Sequence, residues 1–332
     1  MYRLAFMKSI RRILLLDEPH PALIHQLQEW NLQLWFHYQS SREEIWEQLP
    51  EVEGVIVRSR LRIDEAFIEA APHLAFVARI GVGTEHIDLA ACARHNVQVF
   101  TSPEGSRDTV GEHTLGLLLM LLNRLGVADR EVRRGIWQRE ANRGTELKGK
   151  TVGILGYGNM GTALARRLAG FEARVIAYDK YRSNYQDAHA EAVDLEQLQA
   201  ESDILSIHIP YMPENHYFVD RAFLSAFAKN IYLVNTARGM VLHTADLVAA
   251  MQNGQVLGAA LDVLEYEEMS FSHLNPSRLP APFSYLRDSD QTVLTPHIAG
   301  WSHESKKGHA LVLAEKIKHL LFGSTPHLST LT

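Results

Sequence analysis

Three glycines at a fixed spacing mark the stretch of this sequence whose chemistry can be inferred first. Gly156, Gly158 and Gly161 form a G-x-G-x-x-G pattern between an apolar run, Val152–Leu155, and a segment with helical periodicity. In such a turn the first glycine permits a tight strand-to-helix connection, the second lets the backbone approach a pyrophosphate, and the third allows close packing. Amide groups and the dipole at the helix N-terminus favour the anion. The pattern therefore predicts a dinucleotide-binding site.

An acid completes this pattern. Asp179 ends a second β-branched run, 18 residues after Gly161. A carboxylate at that place can accept hydrogen bonds from the 2′- and 3′-hydroxyls of the adenine ribose, and it would repel a 2′-phosphate. Asp179 therefore favours NAD over NADP. Lys180 and Arg182 follow directly and leave the use of NADP open.

Two further side chains at predicted strand ends could act on a small substrate. His297 follows a strand and a proline, and Arg238 comes shortly after the strand Tyr232–Val234. Ligands in open α/β sheets bind outside the carboxyl ends of the strands. An imidazole can exchange a proton near neutral pH, and the planar fork of an arginine can hold a carboxylate and a neighbouring oxygen together. Both residues are therefore candidates for chemistry at a carbonyl next to a carboxylate.

The elements that must position these residues alternate between strands and helices. Candidate strands are Ile13–Leu16, Leu32–Phe36, Gly54–Val57, Phe76–Arg79 and Val97–Phe100, and then residues 152–155, 174–178, 203–207, 231–235, 257–261 and 292–294. A long helix, roughly Thr109–Leu125, separates the two series, and a helix over Glu304–Leu321 follows them. This alternation predicts an α/β fold with parallel sheets covered on both faces.

A chain of 332 residues is too long for one ordinary core, so we expect two domains. Each is predicted to be a Rossmann-like or flavodoxin-like doubly wound parallel sheet, with a cleft between the two. The first, the substrate-binding domain, combines residues 1–107 and 303–332. The second, residues 108–302, is the NAD-binding Rossmann domain and includes an arm at about 126–150.

Composition excludes several other classes of protein. The formal charge of −6 gives no electrostatic support for nucleic-acid binding. Cys92 is the only cysteine, so no intramolecular disulfide can form, which suits a reducing cytoplasm. The longest apolar run, Leu115 to Leu122, is too short to span a bilayer. We therefore expect a cytoplasmic protein with no nucleic-acid or membrane partner, and we predict no metal site.

Several motifs together give the chain a resemblance to a known family. They are Val57-Arg-Ser59, Ala78-Arg-Ile-Gly-Val-Gly83, Val110-Gly-Glu-His113, Gly135-Ile-Trp-Gln-Arg139, the glycine pattern, His208-Ile-Pro210, Asn235-Thr-Ala-Arg-Gly239, Gly258-Ala-Ala-Leu-Asp-Val263 and Thr295-Pro-His-Ile-Ala-Gly300. In this order they resemble the D-isomer-specific 2-hydroxyacid dehydrogenases, and within that family the short phosphoglycerate dehydrogenases without a regulatory domain. The resemblance covers nearly the whole chain.

The resemblance implies a reaction and three catalytic residues. A hydride would pass between C4 of the nicotinamide of NAD and C2 of a 2-hydroxy or 2-oxo acid. His297 would carry the proton, Arg238 would hold the substrate carboxylate and polarise the C2 oxygen, and Glu267 would orient the imidazole. The family usually has a proline after this glutamate, and Glu268 stands there instead. Glu265 is therefore an alternative partner for His297.

The resemblance also implies the residues that contact the ligands. The cofactor contacts would be Thr109, Gly156, Tyr157, Gly158, Asn159, Met160, Gly161, Asp179, His208, Ile209, Pro210, Thr236, Ala237, Asp262 and Gly300. The substrate contacts would be Arg58, Ser59, Arg79, Val82 and Gly83, with Arg60, Arg62 or Arg139 as further candidates for a substrate phosphate.

The expected substrate is 3-phosphoglycerate, which would place the protein in serine biosynthesis. Glyoxylate, hydroxypyruvate, D-lactate and a phosphorylated aldonate are alternatives. A protein of another class, a non-catalytic NAD(H)-sensing relative of the corepressors on this fold, also remains open. The arm at 126–150 is too apolar and arginine-rich for a simple linker. We interpret it as the contact of a homodimer, as in the family.

Overall fold

The computed structural model describes residues 11–182, 185–267 and 279–323. The described chain forms two compact units. One contains the residues up to Ser106 and those from Trp301 onward, and the other runs from Arg107 to Gly300. The ends of the predicted substrate domain, at 1–10 and 324–332, lie outside the described residues, as does Glu268.

The first unit is built on a parallel sheet of five strands in the order β2-β1-β3-β4-β5. The strands are β1 (Arg12–Leu15), β2 (Gln33–Phe36), β3 (Gly54–Val57), β4 (Phe76–Arg79) and β5 (Gln98–Phe100). The helices are α1 (Pro21–Glu29), α2 (Arg42–Gln48), α3 (Glu65–Ala70), α4 (Leu89–Arg94) and α12 (His303–Phe322). This strand order is that of flavodoxin-like folds.

Apolar residues cover both faces of this sheet. Leu15 and Phe76 pack on one face against α12, through side chains such as Leu313. Val55 packs on the other face with Phe67 of α3. Strands β1, β3 and β4 are buried along nearly their whole length. A strand buried on both faces must be apolar throughout, which is why short continuous runs in the sequence predicted these three strands.

The second unit contains a parallel sheet of seven strands in the order β12-β11-β10-β9-β6-β7-β8. The strands are β6 (Thr151–Leu155), β7 (Arg174–Tyr178), β8 (Glu191–Ala192), β9 (Ile204–Ile207), β10 (Ile231–Asn235), β11 (Val256–Leu261) and β12 (Thr292–Leu294). The order reverses next to β6, as in doubly wound nucleotide-binding folds. Both sheets confirm the predicted fold class.

The helices of the second unit either precede β6 or lie in sequence between the strands of its sheet. They are α5 (Arg107–Leu122), α6 (Leu125–Arg133), α7 (Asn159–Leu168), α8 (Leu195–Glu201), α9 (Arg221–Ser225), α10 (Thr244–Gln252) and α11 (Ala281–Asp288). Through the described part of the chain, no helix combines the length and the apolar character that crossing a bilayer requires.

One predicted helix is interrupted in the structure. The expected helix over Thr109–Leu125 ends at Leu122, and a second helix begins at Leu125. Arg124, between them, has a left-handed backbone with φ of +53°. A right-handed helix cannot continue through that conformation, so the prediction of a single helix was wrong at this point.

Candidate active site

The glycine turn joins β6 to α7 and has the geometry that its residue types predict. Gly156 has φ of +95°, and a Cβ there would lie 2.9 Å from the carbonyl of His208. A Cβ on Gly161 would lie 2.3 Å from the oxygen of Gly156. Gly158, in contrast, faces open space, with nothing within 4 Å of an added Cβ. The turn is therefore closed where the chain packs and open where a pyrophosphate must approach.

Asp179 follows β7, and its carboxylate accepts a hydrogen bond from the backbone of the glycine turn. Its Oδ2 accepts a hydrogen bond from the amide of Tyr157 at 2.9 Å, and its Oδ1 accepts from Tyr181 and Arg182, each at 3.0 Å. The side chain of Tyr157 is buried and donates to Asp187 at 2.9 Å. Any contact of Tyr157 with a cofactor must therefore come from its main chain.

His208 lies beside this turn after β9. Its Nε2 is 2.8 Å from the hydroxyl of Ser206, and its Nδ1 is buried without a hydrogen-bond partner. Burial lowers the pKa of His208 to about 4, so the ring is neutral at physiological pH. A buried ring nitrogen without a partner is unusual in a native protein and fits a place that a ligand completes.

His297 and Glu267 meet directly. Nδ1 of His297 is 2.6 Å from Oε2 of Glu267, and both side chains are largely shielded from solvent. The other carboxylate oxygen, Oε1, accepts the amide of Leu264 at 2.5 Å and closes a tight turn. The structure thus brings Glu267, and not Glu265, to the histidine. Hydrogen bonding of Nδ1 to a carboxylate fixes the orientation and the tautomer of the ring.

Asp262, at the end of β11, holds the loop that carries His297. Its carboxylate accepts the hydroxyl of Thr295 at 2.5 Å and the amides of Ile298 and Ala299 at 2.9 and 2.8 Å. Its backbone oxygen accepts the amide of His297 at 2.8 Å. These bonds hold His297 in a left-handed conformation, with φ of +54°, that a non-glycine residue adopts only when its surroundings impose it.

The hydrogen bonds also set the charge of Asp262. Burial alone would raise the pKa of this carboxyl. Hydrogen bonds from His113, from Thr295 and from the two loop amides outweigh that effect and lower the pKa below its ordinary value. A buried, ionised carboxylate therefore lies under the loop, and Nε2 of His113 is 3.5 Å from it.

Arg238 lies in the turn that follows β10. Asn235, fully buried, accepts the amide of Ala237 at 3.0 Å and donates to the carbonyl of Arg238 at 3.1 Å. Gly239 packs against the turn that ends in Glu267, because a Cβ at this position would lie 2.0 Å from the carbonyl carbon of Leu264. The arginine turn and the acid turn are thus in direct backbone contact.

The remaining predicted cofactor contacts fall in the same unit. They are Thr109 on α5, Asn159 and Met160 at the start of α7, Ile209 and Pro210 after β9, Thr236 and Ala237 after β10, and Gly300 after the histidine loop. Thr236 is buried, and its hydroxyl is 2.9 Å from that of Thr114. Its side chain is therefore tied to α5.

Comparison with known proteins gives these features a family. The sequence model described as the NAD-binding domain of D-isomer-specific 2-hydroxyacid dehydrogenases matches residues 115–299, more than half of the chain. The chain belongs to this family. The match also confirms NAD as the predicted cofactor, and Gly158 and His208 fit it as described above.

Individual relatives support the assignment. A D-3-phosphoglycerate dehydrogenase of Archaeoglobus fulgidus is 33% identical over 85% of this chain, and a glyoxylate reductase of Thermofilum pendens is 33% identical over 94%. The match spans 52% of the length of the first relative and 88% of the second. Among solved structures, a D-lactate dehydrogenase of Aquifex aeolicus complexed with NAD and lactic acid has a TM-score of 0.79, with 26% identity, over 94% of this chain and 96% of its own.

The predicted substrate residues lie in the first unit. Arg79 ends β4, and its guanidinium folds back over Gly81, where an added Cβ would lie 1.4 Å from Nη1. A cation therefore lies at the turn of Gly81, Val82 and Gly83, which we predicted to receive a substrate carboxylate. Arg58 follows β3, and its Cζ is 5.6 Å from the ring centre of Trp301.

Arg60, another candidate, is occupied within the fold. Its guanidinium donates to the carbonyl oxygens of Leu16, His37 and Ser40. Three carbonyl partners leave this side chain a structural role in joining the ends of β1 and β2. Ser59 and Arg62 lie in the same loop, and Arg139 lies in the other unit.

Sequence reasoning gave no role to several residues that shape the site. Asn235, Gly239 and Thr295 all lie within the motifs that carried the resemblance, as does His113. Their positions in those motifs were the available signal. Their partners are distant in sequence, so the contacts themselves could not be inferred.

Proposed function

We propose that this chain is an NAD-dependent D-2-hydroxyacid dehydrogenase whose substrate is 3-phosphoglycerate. The observation that carries the proposal is the 2.6 Å contact of His297 with Glu267, on a loop held in a strained conformation by buried Asp262. Strained backbone at a paired histidine is characteristic of functional sites.

The pairing with Glu267 indicates which nitrogen of His297 exchanges a proton with the substrate. Because Nδ1 of His297 bonds to Glu267, exchange of a proton with the substrate falls to Nε2. In the direction of reduction, Nε2 delivers a proton to the oxygen on C2 of a 2-oxo acid. The negative carboxylate of Glu267 stabilises the imidazolium before that transfer.

Arg238 would act on the same oxygen. A guanidinium placed between a carboxylate and the adjacent carbonyl holds both oxygens and stabilises the negative charge that develops during reduction. The turn made by Asn235 fixes the backbone from which it projects. When bound, NADH supplies the hydride to C2, and the product is the D-2-hydroxy acid.

Recognition of a phosphorylated substrate is assigned to the first unit. Val82 and Gly83 are partly exposed in the turn of residues 81–83, and the guanidinium of Arg79 lies beside it, so a carboxylate is favoured there. Arg58 supplies a second cation, and its ring partner Trp301 is 71% exposed. We assign Arg58 to the phosphate because Arg60 is committed to carbonyl oxygens.

A panel of 2-oxo acids tests the proposal. NADH oxidation would be followed with phosphohydroxypyruvate, hydroxypyruvate, glyoxylate, pyruvate and 2-oxoisocaproate. We expect phosphohydroxypyruvate to give the highest kcat/KM. His297→Ala should lower kcat by roughly 10²- to 10⁴-fold because the proton donor is lost.

The phosphate assignment has its own variant and control. Arg58→Ala should raise KM for phosphohydroxypyruvate roughly 10- to 100-fold, because a charge-assisted contact is removed. It should leave KM for hydroxypyruvate nearly unchanged. Arg42→Ala, at an exposed arginine of α2, should change neither value. Equal turnover of pyruvate or glyoxylate would refute the phosphorylated substrate. NADH binding without turnover of any oxo acid would instead indicate the sensor protein.

A further inference from the structure

One buried hydroxyl connects the turn of residues 81–83 to helix α12 within the first unit. Ser102 follows β5 and is fully buried. Its Oγ accepts the amide of Gly81 at 3.0 Å and lies 2.9 Å from Nδ1 of His309 on α12. Its own hydrogen can be donated to the carbonyl oxygen of Gly81 at 3.3 Å or to that of Arg79 at 3.4 Å.

A second contact of the same ring nitrogen fixes the tautomer of His309. Nδ1 is also 2.9 Å from the carbonyl oxygen of Ser102, and a carbonyl oxygen only accepts hydrogen bonds. Nδ1 therefore carries the hydrogen, which is shared between the carbonyl oxygen and Oγ of Ser102. The hydroxyl then accepts two hydrogen bonds and donates one, so all three of its hydrogen-bonding positions are used.

Gly81 is bound to Ser102 through both of its peptide groups. Its amide donates to Oγ, and its carbonyl oxygen accepts the backbone amide of Ser102 at 2.8 Å. Gly81 has φ of +137°, a conformation that residues with side chains rarely adopt. Val82 and Gly83, which follow, are partly exposed. Ser102 therefore fixes the backbone from which the exposed part of the turn begins.

A close contact between two glycines places His309 beside Ser102. A Cβ on Gly105 would lie 2.4 Å from the backbone nitrogen of His309, and a Cβ on Gly308 would lie 2.5 Å from the carbonyl oxygen of Gly105. These are main-chain atoms, so no flexible side chain could move aside to make room. The approach of α12 to the residues that follow Ser102 is therefore closely defined.

We propose that Ser102 and His309 are positioning residues for the carboxylate of the 2-oxo acid. His309 orients the hydroxyl of Ser102, and this hydroxyl holds Gly81 so that the amides of the turn can receive the carboxylate. The inference rests on the proposed function, in which the turn of residues 81–83 binds this group. It does not depend on which 2-oxo acid is the substrate, because all of them carry the carboxylate.

The experiment measures carboxylate binding separately from turnover. Oxamate is an analogue of pyruvate in which an NH2 group replaces the methyl group, and it is titrated into the NADH-saturated full chain by calorimetry. Ser102→Ala should weaken oxamate binding roughly 10- to 100-fold, because the amide of Gly81 loses its acceptor and the turn shifts.

Steady-state kinetics of Ser102→Ala add a second measurement. KM should rise by a similar factor for phosphohydroxypyruvate and for hydroxypyruvate, since both carry the carboxylate. We expect kcat and the dissociation constant of NADH to change less than about threefold, because the carboxylate contact is the same in the ground state and the transition state. A role in folding alone would not separate KM from kcat in this way.

Two substitutions of His309 separate hydrogen bonding from packing. Asparagine can place its amide where Nδ1 donates, so His309→Asn should keep the affinity for oxamate within about threefold of the wild type. His309→Leu removes the donor and should weaken oxamate about as much as Ser102→Ala does. The double variant Ser102→Ala/His309→Leu should be little worse than either single variant, because both break the same connection.

Ser202→Ala is the matched control. Ser202 is fully buried in the second unit, and its hydroxyl donates to the carbonyl oxygen of Leu198 at 2.6 Å. The variant removes the same atom from an equally buried place and should leave the affinity for oxamate unchanged, whatever its effect on thermal unfolding.

Several results would overturn the inference. They are wild-type affinity for oxamate in Ser102→Ala, a similar loss in Ser202→Ala, and equal losses in His309→Asn and His309→Leu. Equal turnover of pyruvate would refute only the phosphorylated substrate. A chain that binds NADH and oxamate but turns over no oxo acid would refute the proposed function and leave the positioning of the carboxylate supported. A wild-type chain that binds no oxamate would overturn both.

Discussion

At the scale of single residues, the histidine loop depends on one buried carboxylate. Asp262 accepts three hydrogen bonds from the loop that carries His297. The residue is buried, so water cannot replace these hydrogen bonds. Losing an acceptor would leave a buried donor unpaired, which costs more than the bond itself contributes. We infer that Asp262 is a positioning residue for the proton donor, in addition to its predicted contact with the nicotinamide.

Asp262→Asn tests this role. The substitution replaces one carboxylate oxygen by an NH2 group, which donates. Either the hydroxyl of Thr295 and the amide of Ile298, or the amide of Ala299, then lose their acceptor. We expect the free energy of unfolding to fall by roughly 1–3 kcal/mol and kcat to fall about 10²-fold. The measurements are urea unfolding, steady-state kinetics and the dissociation constant for NADH.

The NADH measurement distinguishes the two roles. A fall in kcat with unchanged NADH affinity supports positioning, and an equal loss of affinity indicates that contact with the cofactor dominates. Asp220→Asn is the control, because Asp220 caps α9 and asparagine caps a helix equally well. Full kcat in Asp262→Asn would contradict a positioning role.

Residue types predicted a site in the sequence, but they did not predict the contacts that hold its residues in place. His297, Arg238 and the glycines were proposed as site residues because each follows an apolar strand in a recognisable pattern. The choice between Glu265 and Glu267 could not be made from spacing, since both lie in one turn and either could face the histidine. The roles of Asn235 and Asp262 as internal clamps depend on partners that only the folded chain brings together.

At the scale of secondary-structure elements, the arginine turn and the acid turn meet at Gly239. The backbone of Leu264 and Glu265 approaches so closely that a Cβ would lie 2.0 to 2.5 Å from three of its atoms. These atoms are main chain, so no flexible side chain can move aside. Gly239→Ala should therefore displace Arg238 relative to Glu267.

We expect Gly239→Ala to lower kcat/KM by at least about 10²-fold and to reduce stability by roughly 1–3 kcal/mol. Steady-state kinetics and thermal unfolding give both values. Gly116→Ala is the control, because Gly116 lies within α5 and has nothing within 4 Å of an added Cβ. That variant should be neutral or slightly stabilising, since alanine favours a helix over glycine. Wild-type kinetics in Gly239→Ala would refute the coupling of the two turns.

Helix α12 is joined to the loop after β5 by a histidine that stays neutral. His309 Nδ1 donates to the carbonyl oxygen of Ser102 at 2.9 Å. Burial is the main cause that lowers the pKa of His309 to about 4, and Arg79 and Arg58 lower it further. Glu104, which raises it, is paired with Lys316 at 3.0 Å in the same contact.

This histidine should make stability depend on pH. His309 takes up a proton near pH 6.5 in the unfolded chain but only near pH 4 in the folded chain. The free energy of unfolding is therefore at its full value above pH 6.5 and decreases as the pH falls towards 4. The difference between these two pKa values corresponds to a decrease of roughly 3 kcal/mol in the free energy of unfolding. Urea unfolding at pH 7.5 and 4.5, followed by tryptophan fluorescence, measures it. Four of the five tryptophans lie in the unit that contains α12.

His309→Asn should remove part of this pH dependence. His25→Asn is the control, because its side chain is 74% exposed and should contribute little. An identical loss of stability between pH 7.5 and 4.5 in the wild type and in His309→Asn would contradict the assignment.

Elements were easier to predict from the sequence than their ends and interruptions. Buried parallel strands are continuous apolar runs, so even three-residue β12 was found. The two-residue edge strand β8, Glu191–Ala192, has no such pattern, because an edge strand needs little apolar surface. The break at Arg124 was missed because a positive φ is rare for arginine and carries no sequence signal.

At the scale of the whole molecule, the arm after α5 leaves large apolar side chains in solvent. Leu125 and Val132 lie two turns apart on α6 and are 54% and 52% exposed, and Trp137 is 78% exposed. Apolar side chains exposed together mark contact surfaces between proteins. The arm is the segment that we predicted to form a twofold dimer, in which the same surface meets itself.

We expect the chain to be a dimer in solution and the double variant Val132→Asp/Trp137→Asp to be a monomer. Two buried charges on each side of a twofold contact would be unpaired and would face like charges, which opposes association. Size-exclusion chromatography with light scattering over a range of concentrations measures the mass directly. Phe36→Asp is the control, because Phe36 is 49% exposed on β2 of the other unit and lies outside the arm. A wild-type mass of one chain at every concentration, or a double variant that stays dimeric, would remove the arm as the dimer contact.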